Sequence, residues 1–212
     1  MKPWRQPEAP MRTRIKICGI QDPEMALIAV DAGASAIGLV SHRASPRHLE
    51  SVEIQTIMNE LPEDVPAVQV FVDPSAETMS QVQGWIQLHG EESEQVVAQA
   101  RGPVVRGISF STEAVRRWNA CPSVDLLLID GPGKGAGRTF DHDQLLELQS
   151  EISKPIVVAG GLDPDTVGEA ITALRPWGVD VSSGVESGRG IKDPARIKAF
   201  CEAVRAADSI SN

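Results

Sequence analysis

The stretch PIVVAGGLDPDTVGEAITALRPWGVDVSS (155–183) holds a complete structural unit. PIVVAG (155–160) is a short, β-branched apolar run, and VDVSS (179–183) is a second one. Between them Val167, Ala170, Ile171 and Leu174 recur at helical spacing. Strand, helix and strand with so little chain between them predict parallel pairing through a right-handed crossover. Outward from this unit the same alternation continues. Further β-rich runs are IKIC (15–18), AIGLV (36–40), AVQVFV (67–72), WIQLH (85–89), VVRGIS (104–109) and DLLLID (125–130). Further helical stripes are Ile54, Ile57, Met58 and Leu61, and Ile197, Phe200, Cys201 and Val204. Eight strands, each followed by a helix, close naturally into a single (β/α)8 barrel over residues 14–212. The fold usually takes about 250 residues, so the connections must be tight. A doubly wound open sheet would normally carry a dinucleotide fingerprint after its first strand. Here CGIQDP (18–23) follows, without GxGxxG, and GPGKGAG (131–137) fits neither that fingerprint nor a P-loop.

Composition narrows the partners. The chain carries 20 Lys and Arg against 29 Asp and Glu, a net charge of −9, and is 42% hydrophobic. That is apolar enough for a sizeable core. An acidic balance without a basic run argues against nucleic acid and anionic membrane as main partners. The longest apolar runs fall far short of the roughly 20 residues that cross a bilayer. Cys18, Cys121 and Cys201 are odd in number and widely spaced, which is neither a disulfide framework nor a zinc signature and suits a reducing cytosol. The start, MKPWRQPEAPMRT (1–13), has three prolines and no apolar core, so it reads as a disordered arm rather than a signal peptide.

Alternation along the barrel strands predicts which side chains point inward. If Ile15 and Ile17 face the helices, Lys16 and Cys18 face the interior. By the same rule Asp130, Asp180, Ser182 and His89 turn inward. All sit at or near the C-terminal ends of strands, where barrel enzymes keep their chemistry. AGGLDPDTV (159–167) and VSSGVESGRG (181–190) end the last two strands with small residues before a helix. Free backbone amides at a helix start, after strands seven and eight, form a phosphate site. Each candidate has an ordinary structural alternative: Cys18 as a buried thiol, His89 as a core histidine, Arg47 as loop charge. Asp130 closes an apolar strand, where an unpaired acid is costly, and so reads as a proton-transfer group. Lys16 calls for an acid inside the barrel, with Asp180 the candidate. Cys121 and Cys201 read as structural.

KICGI (16–20), SPR (45–47), QLHGEES (87–93), LLLID (126–130), GRTFD (137–141), AGGLDPDTV (159–167) and DVSSGVE (180–186) together resemble the phosphoribosylanthranilate isomerase family of tryptophan biosynthesis. The resemblance runs in order from about residue 14 to the C-terminus. It implies a (β/α)8 barrel of the ribulose-phosphate-binding type, cytoplasmic, performing an Amadori rearrangement of N-(5-phosphoribosyl)anthranilate without metal or organic cofactor. It further implies Cys18 as general base and Asp130 as general acid. Arg47, His89 and Asp180 would line the anthranilate and ribose part of the pocket, and Gly160, Gly161, Ser182, Ser183 and Gly184 the phosphate loops. Arg47 is the expected carboxylate ligand, since a guanidinium can bond bidentately, and Lys16 the expected stabiliser of a Cys18 thiolate. The implied partner is the small phosphoribosyl substrate; association with other tryptophan-pathway enzymes is left open by the sequence.

The chain departs from the family pattern at SHRA (41–44), at KGAG (134–137) and between Phe71 and Leu88, which is shorter by about a helical turn. Two other readings stand beside this one. A ribulose-phosphate epimerase would need inward His and Asp metal ligands at several strand ends, and only His89 is a strand-end histidine. A non-catalytic binder of phospho-ligands would have no use for an acid–base pair.

Overall fold

In the computed structural model, which describes Trp4, residues 13–131 and residues 142–210, each β-rich run becomes a strand of one closed parallel barrel. The strands are β1 (Arg14–Cys18), β2 (Ala36–Val40), β3 (Ala67–Phe71), β4 (Trp85–Leu88), β5 (Val104–Ser109), β6 (Leu126–Asp130), β7 (Ile156–Val158) and β8 (Gly178–Val181). They pair in sequence order, and β8 returns to β1 with Lys16 beside Asp180. Helices α1 (Pro23–Ala32), α2 (Ser51–Glu60), α3 (Ala76–Gln81), α4 (Glu94–Val97), α5 (Thr112–Ala120), α6 (His142–Leu148), α7 (Val167–Leu174) and α8 (Pro194–Ile210) fill the connections. The KGAG and GRTFD segments lie outside the described residues, as does the 1–13 arm apart from Trp4 and Thr13.

Local chemistry sets the helix ends. Asp22 caps α1, accepting from the Met25 amide at 2.7 Å, with Pro23 at the first helical position. Gly33 ends that helix at φ 117°, a left-handed conformation that favours glycine. Ser75, Ser93 and Ser111 cap α3, α4 and α5 in the same way. The stretch between Phe71 and Leu88 forms one helix, the six-residue α3.

Strand alternation divides the interior into two layers. Ile17, Leu127, Ile129, Val179 and Val181 join the layer between barrel and helices, together with the buried stripes of α7 and α8. Val68, Trp85, Val105, Leu126, Leu128 and Val157 fill the barrel's inside. Trp4 belongs to this inner layer: it is buried, with its ring edge-on to Trp85 at 5.6 Å and to Trp177 at 4.9 Å. Trp85 opens β4 and Trp177 immediately precedes β8, so the tryptophans gather at the end of the barrel where strands begin.

One connection differs from the sequence reading. The loop after β8 does not lead straight into a helix. A 3-10 turn (Ser183–Val185) and a two-stranded hairpin, β9 (Glu186–Gly188) with β10 (Ile191–Lys192), intervene before α8. Asp193 then caps α8, accepting from the Ala195 and Arg196 amides, so that helix start serves its own side chain.

Candidate active site

At the C-terminal ends of the strands lies a cavity of about 740 Å3. Cys18, Arg47, His89, Asp130, Gly160, Gly161, Asp180, Ser182 and Ser183 all line it. Gly184 is not at the cavity surface; a Cβ there would lie 1.9 Å from the Leu162 carbonyl, so this glycine lets the loop after β8 press on the loop after β7. Its size suits a small-molecule ligand.

Cys18 ends β1 and is 8% exposed. Beneath it Lys16, fully buried, donates to Asp180 Oδ1 at 2.8 Å, the ion pair expected from strand register. Burial pushes the Cys18 thiol above its ordinary range, against the pull of Lys16, and the Asp180 charge pushes the same way. The resting group is therefore a thiol, and Lys16 limits the cost of ionising it without reversing the preference. Gly38 of β2 clears the space: a Cβ there would meet Cys18 Sγ at 2.8 Å and Lys16 Nζ at 2.9 Å.

Asp130 ends β6, where the apolar run drives the strand and its last residue emerges half-buried. Burial, with the Asp180 charge adding to it, raises the Asp130 carboxyl to about 6, although the Gly131 amide pulls it back. His89 Nε2 lies 3.8 Å from Asp130 Oδ2, and the His89 Nδ1 edge meets the Gln87 amide at 3.2 Å. Two more glycines make these placements possible. A Cβ on Gly107 would meet His89 Nδ1 at 2.6 Å, and one on Gly160 would meet Asp130 Oδ1 at 2.2 Å. Gly160 and Gly161 both adopt positive φ, 85° and 67°, so the turn after β7 relies on them.

Arg47 reaches the cavity from the loop after β2, its stem crossing so near Gly19 that a Cβ there would sit 2.3 Å from Arg47 Cδ. Its Nε and Nη2 donate to the two carboxylate oxygens of Glu186, at 2.6 and 2.8 Å. One edge of the fork is thus already engaged, and the Nη1–Nη2 edge is what remains for a ligand.

Several cavity residues escaped the sequence reading. Glu186 and Arg189 come from the unforeseen hairpin, and Gln87 is the inward residue between Trp85 and His89. Alternation alone turns Gln87 inward, because Ile86 and Leu88 face the helices; for the hairpin the available signal is the pair of glycines, Gly188 and Gly190. Outside the barrel, Arg106 pairs with Glu92, also donates to the Leu88 and Gly90 carbonyls, and lies over the Trp118 ring at 4.3 Å. Glu92 in turn accepts from the Asp73 and Gly90 amides, so this buried pair pins the loop that begins at His89. Among the described residues no three His, Cys, Asp or Glu gather as a metal-binding group, and no helix is long and apolar enough to cross a membrane.

A closed parallel barrel whose thiol, carboxyl and two glycine-rich loops share a cavity at the strands' C-terminal ends has the build of a (β/α)8-barrel enzyme. Residues 15–203 match the family model described as N-(5'phosphoribosyl)anthranilate (PRA) isomerase. The N-(5'-phosphoribosyl)anthranilate isomerase of Leptothrix cholodnii is 37% identical, with 96% of each chain covered. The crystal structure of phosphoribosyl anthranilate isomerase from Thermotoga maritima superposes with a TM-score of 0.83 at 34% identity, covering 92% of this chain and 99% of that one. A further isomerase structure, in complex with reduced 1-(o-carboxyphenylamino)-1-deoxyribulose 5-phosphate, gives a TM-score of 0.81 at 33% identity, covering 92% and 99%. The chain belongs to the phosphoribosylanthranilate isomerase family.

Proposed function

We propose that the protein converts N-(5-phosphoribosyl)anthranilate into 1-(2-carboxyphenylamino)-1-deoxyribulose 5-phosphate, an intramolecular oxidoreduction of tryptophan biosynthesis, in the cytoplasm and without a cofactor. Asp130 is the general acid and Cys18 the general base. The observation that carries this reading is that both groups open on one cavity while burial holds the Asp130 proton up to about pH 6.

The chemistry asks for one proton given and one taken. Asp130 donates to the ribose ring oxygen as the C1′–O bond breaks and the aniline nitrogen forms an iminium. Cys18, as thiolate, takes the proton from C2′, and the electron pair left behind neutralises the iminium to give the enolamine. Transfer of the enol proton to C1′ then yields the ketone. The thiolate is a minor form of a weakly acidic thiol, and its higher proton affinity offsets its low population. The positive iminium beside it favours that form, while the substrate phosphate and carboxylate favour the protonated Asp130.

The ligand is an anion at both ends, and the protein is net negative, so binding depends on local donors. Ser182, Ser183, Gly160 and Gly161, with Gly184 behind the cavity wall, form the phosphate end. Arg47 offers its free edge to the anthranilate carboxylate, and His89 and Asp180 face the sugar between. The test is loss of phosphoribosylanthranilate fluorescence on adding the purified protein. Saturable turnover supports the assignment; no turnover refutes it.

A further inference from the structure

The hairpin of β9 and β10 places one acid, Glu186, between Arg47 of the loop after β2 and Lys192, which in turn bonds Ser182. Glu186 is buried, with its side chain 4% exposed, and each carboxylate oxygen takes two donors. Oε1 accepts from Arg47 Nε at 2.6 Å and from Lys192 Nζ at 2.8 Å. Oε2 accepts from Arg47 Nη2 at 2.8 Å and from the Gly190 amide at 3.0 Å. Lys192 Nζ also donates to the Ser182 carbonyl at 2.9 Å and to Ser182 Oγ at 3.3 Å. A single carboxylate therefore ties the guanidinium of the loop after β2 to the loop after β8. The two loops also touch directly, since a Cβ on Gly190 would lie 3.1 Å from the Pro46 carbonyl.

We propose that Glu186 is a positioning residue that fixes the spacing between the carboxylate-binding and phosphate-binding ends of the site. It acts through Arg47 on one side and through Lys192 and Ser182 on the other. It touches no reacting atom and carries no proton in the reaction. This role rests on the assignment of Arg47 and Ser182 made above. By binding the Nε–Nη2 edge, Glu186 presents the remaining edge of Arg47 in one orientation, and a ligand need not spend binding energy to order the side chain. The occupant it selects is a small molecule with an anionic group at each end, rather than a sugar phosphate that lacks a second anionic group.

The test is steady-state kinetics of Glu186→Gln, Arg47→Ala and the double variant, with phosphoribosylanthranilate as substrate. Glu186→Gln is expected to raise KM about tenfold or more while kcat stays within about threefold and its pH limbs do not move. In the double variant KM should stay within about threefold of Arg47→Ala alone, because residues acting as a unit are non-additive. A second arm uses Lys192→Met: inhibition by inorganic phosphate should weaken several-fold. An unchanged KM in Glu186→Gln, or fully additive effects in the double variant, overturns the role. So does a drop in melting temperature alone, without a change in KM. If Glu186→Gln fails to fold, an unchanged phosphate inhibition constant in Lys192→Met overturns it. Absence of turnover by the parent protein would refute the assignment of the site itself, a separate result.

Discussion

Asp130 is held in a state that costs the fold something. In an unfolded chain its carboxyl ionises near 3.8, and in the folded protein at about 6. The folded state thus keeps the proton longer, so this group's contribution to stability falls as pH rises between those two values and stays low above them. Asp130→Asn, neutral throughout, should be more stable than the parent at pH 7 by on the order of 2 kcal/mol, with the gap closing below about pH 4. Denaturant titrations at both pH values check this; equal stability of the two proteins at pH 7 would show that the buried acid is not strained. Arg47→Ala, by contrast, should raise KM by about tenfold or more with a smaller effect on kcat, since its hydrogen bonds to a carboxylate are made before the chemistry begins. An unchanged KM would remove Arg47 from the binding site. Cys18, Asp130, His89 and Asp180 were legible from strand alternation plus position at the strand ends. Their electrostatics were not. That Cys18 rests as a thiol follows from its burial, which no spacing reveals.

Between strands, the elements show where sequence reading reached its limit. The eight barrel strands each coincide with a short β-rich run, and the helical stripes of α7 and α8 are buried residue for residue. The β9–β10 hairpin was not seen, because three-residue and two-residue strands are too short to show a period. With it went Glu186 and Arg189, and the expectation that the loop after β8 opens directly on a helix start. The sequence reads Gly160 as part of a loop that exposes amides and gives Gly38 and Gly107 no role; in the fold Gly38, Gly107 and Gly160 make room for the thiol, the imidazole and the carboxyl. Gly160→Ala is the sharpest test of that reading. Its Cβ would combine a strained φ of 85° with contact on Asp130 Oδ1, so kcat should fall by about a hundredfold or more if the acid is displaced. Wild-type kcat in that variant would mean that the acid tolerates a shifted position.

Taken whole, the molecule separates function from closure. One end of the barrel carries the cavity, and the other gathers Trp4, Trp85 and Trp177. The prolines around Trp4 predict a disordered arm, an expectation from backbone propensity alone. Where its tryptophan goes depends on a surface assembled from distant strands, which composition does not display. Trp4→Ala should cost about 3 kcal/mol of stability, typical for losing a packed tryptophan, and leave kcat unchanged. Thermal and denaturant unfolding measure the first and turnover the second; an unaltered midpoint would show that the ring adds nothing to the fold. In the proposed mechanism Cys18 and Asp130 act together on one bound sugar. The most direct test of this is kcat for phosphoribosylanthranilate in Cys18→Ala and Asp130→Asn, each compared with the parent protein. Each variant should lose about a thousandfold or more, and either one turning over within about tenfold of the parent would contradict the account.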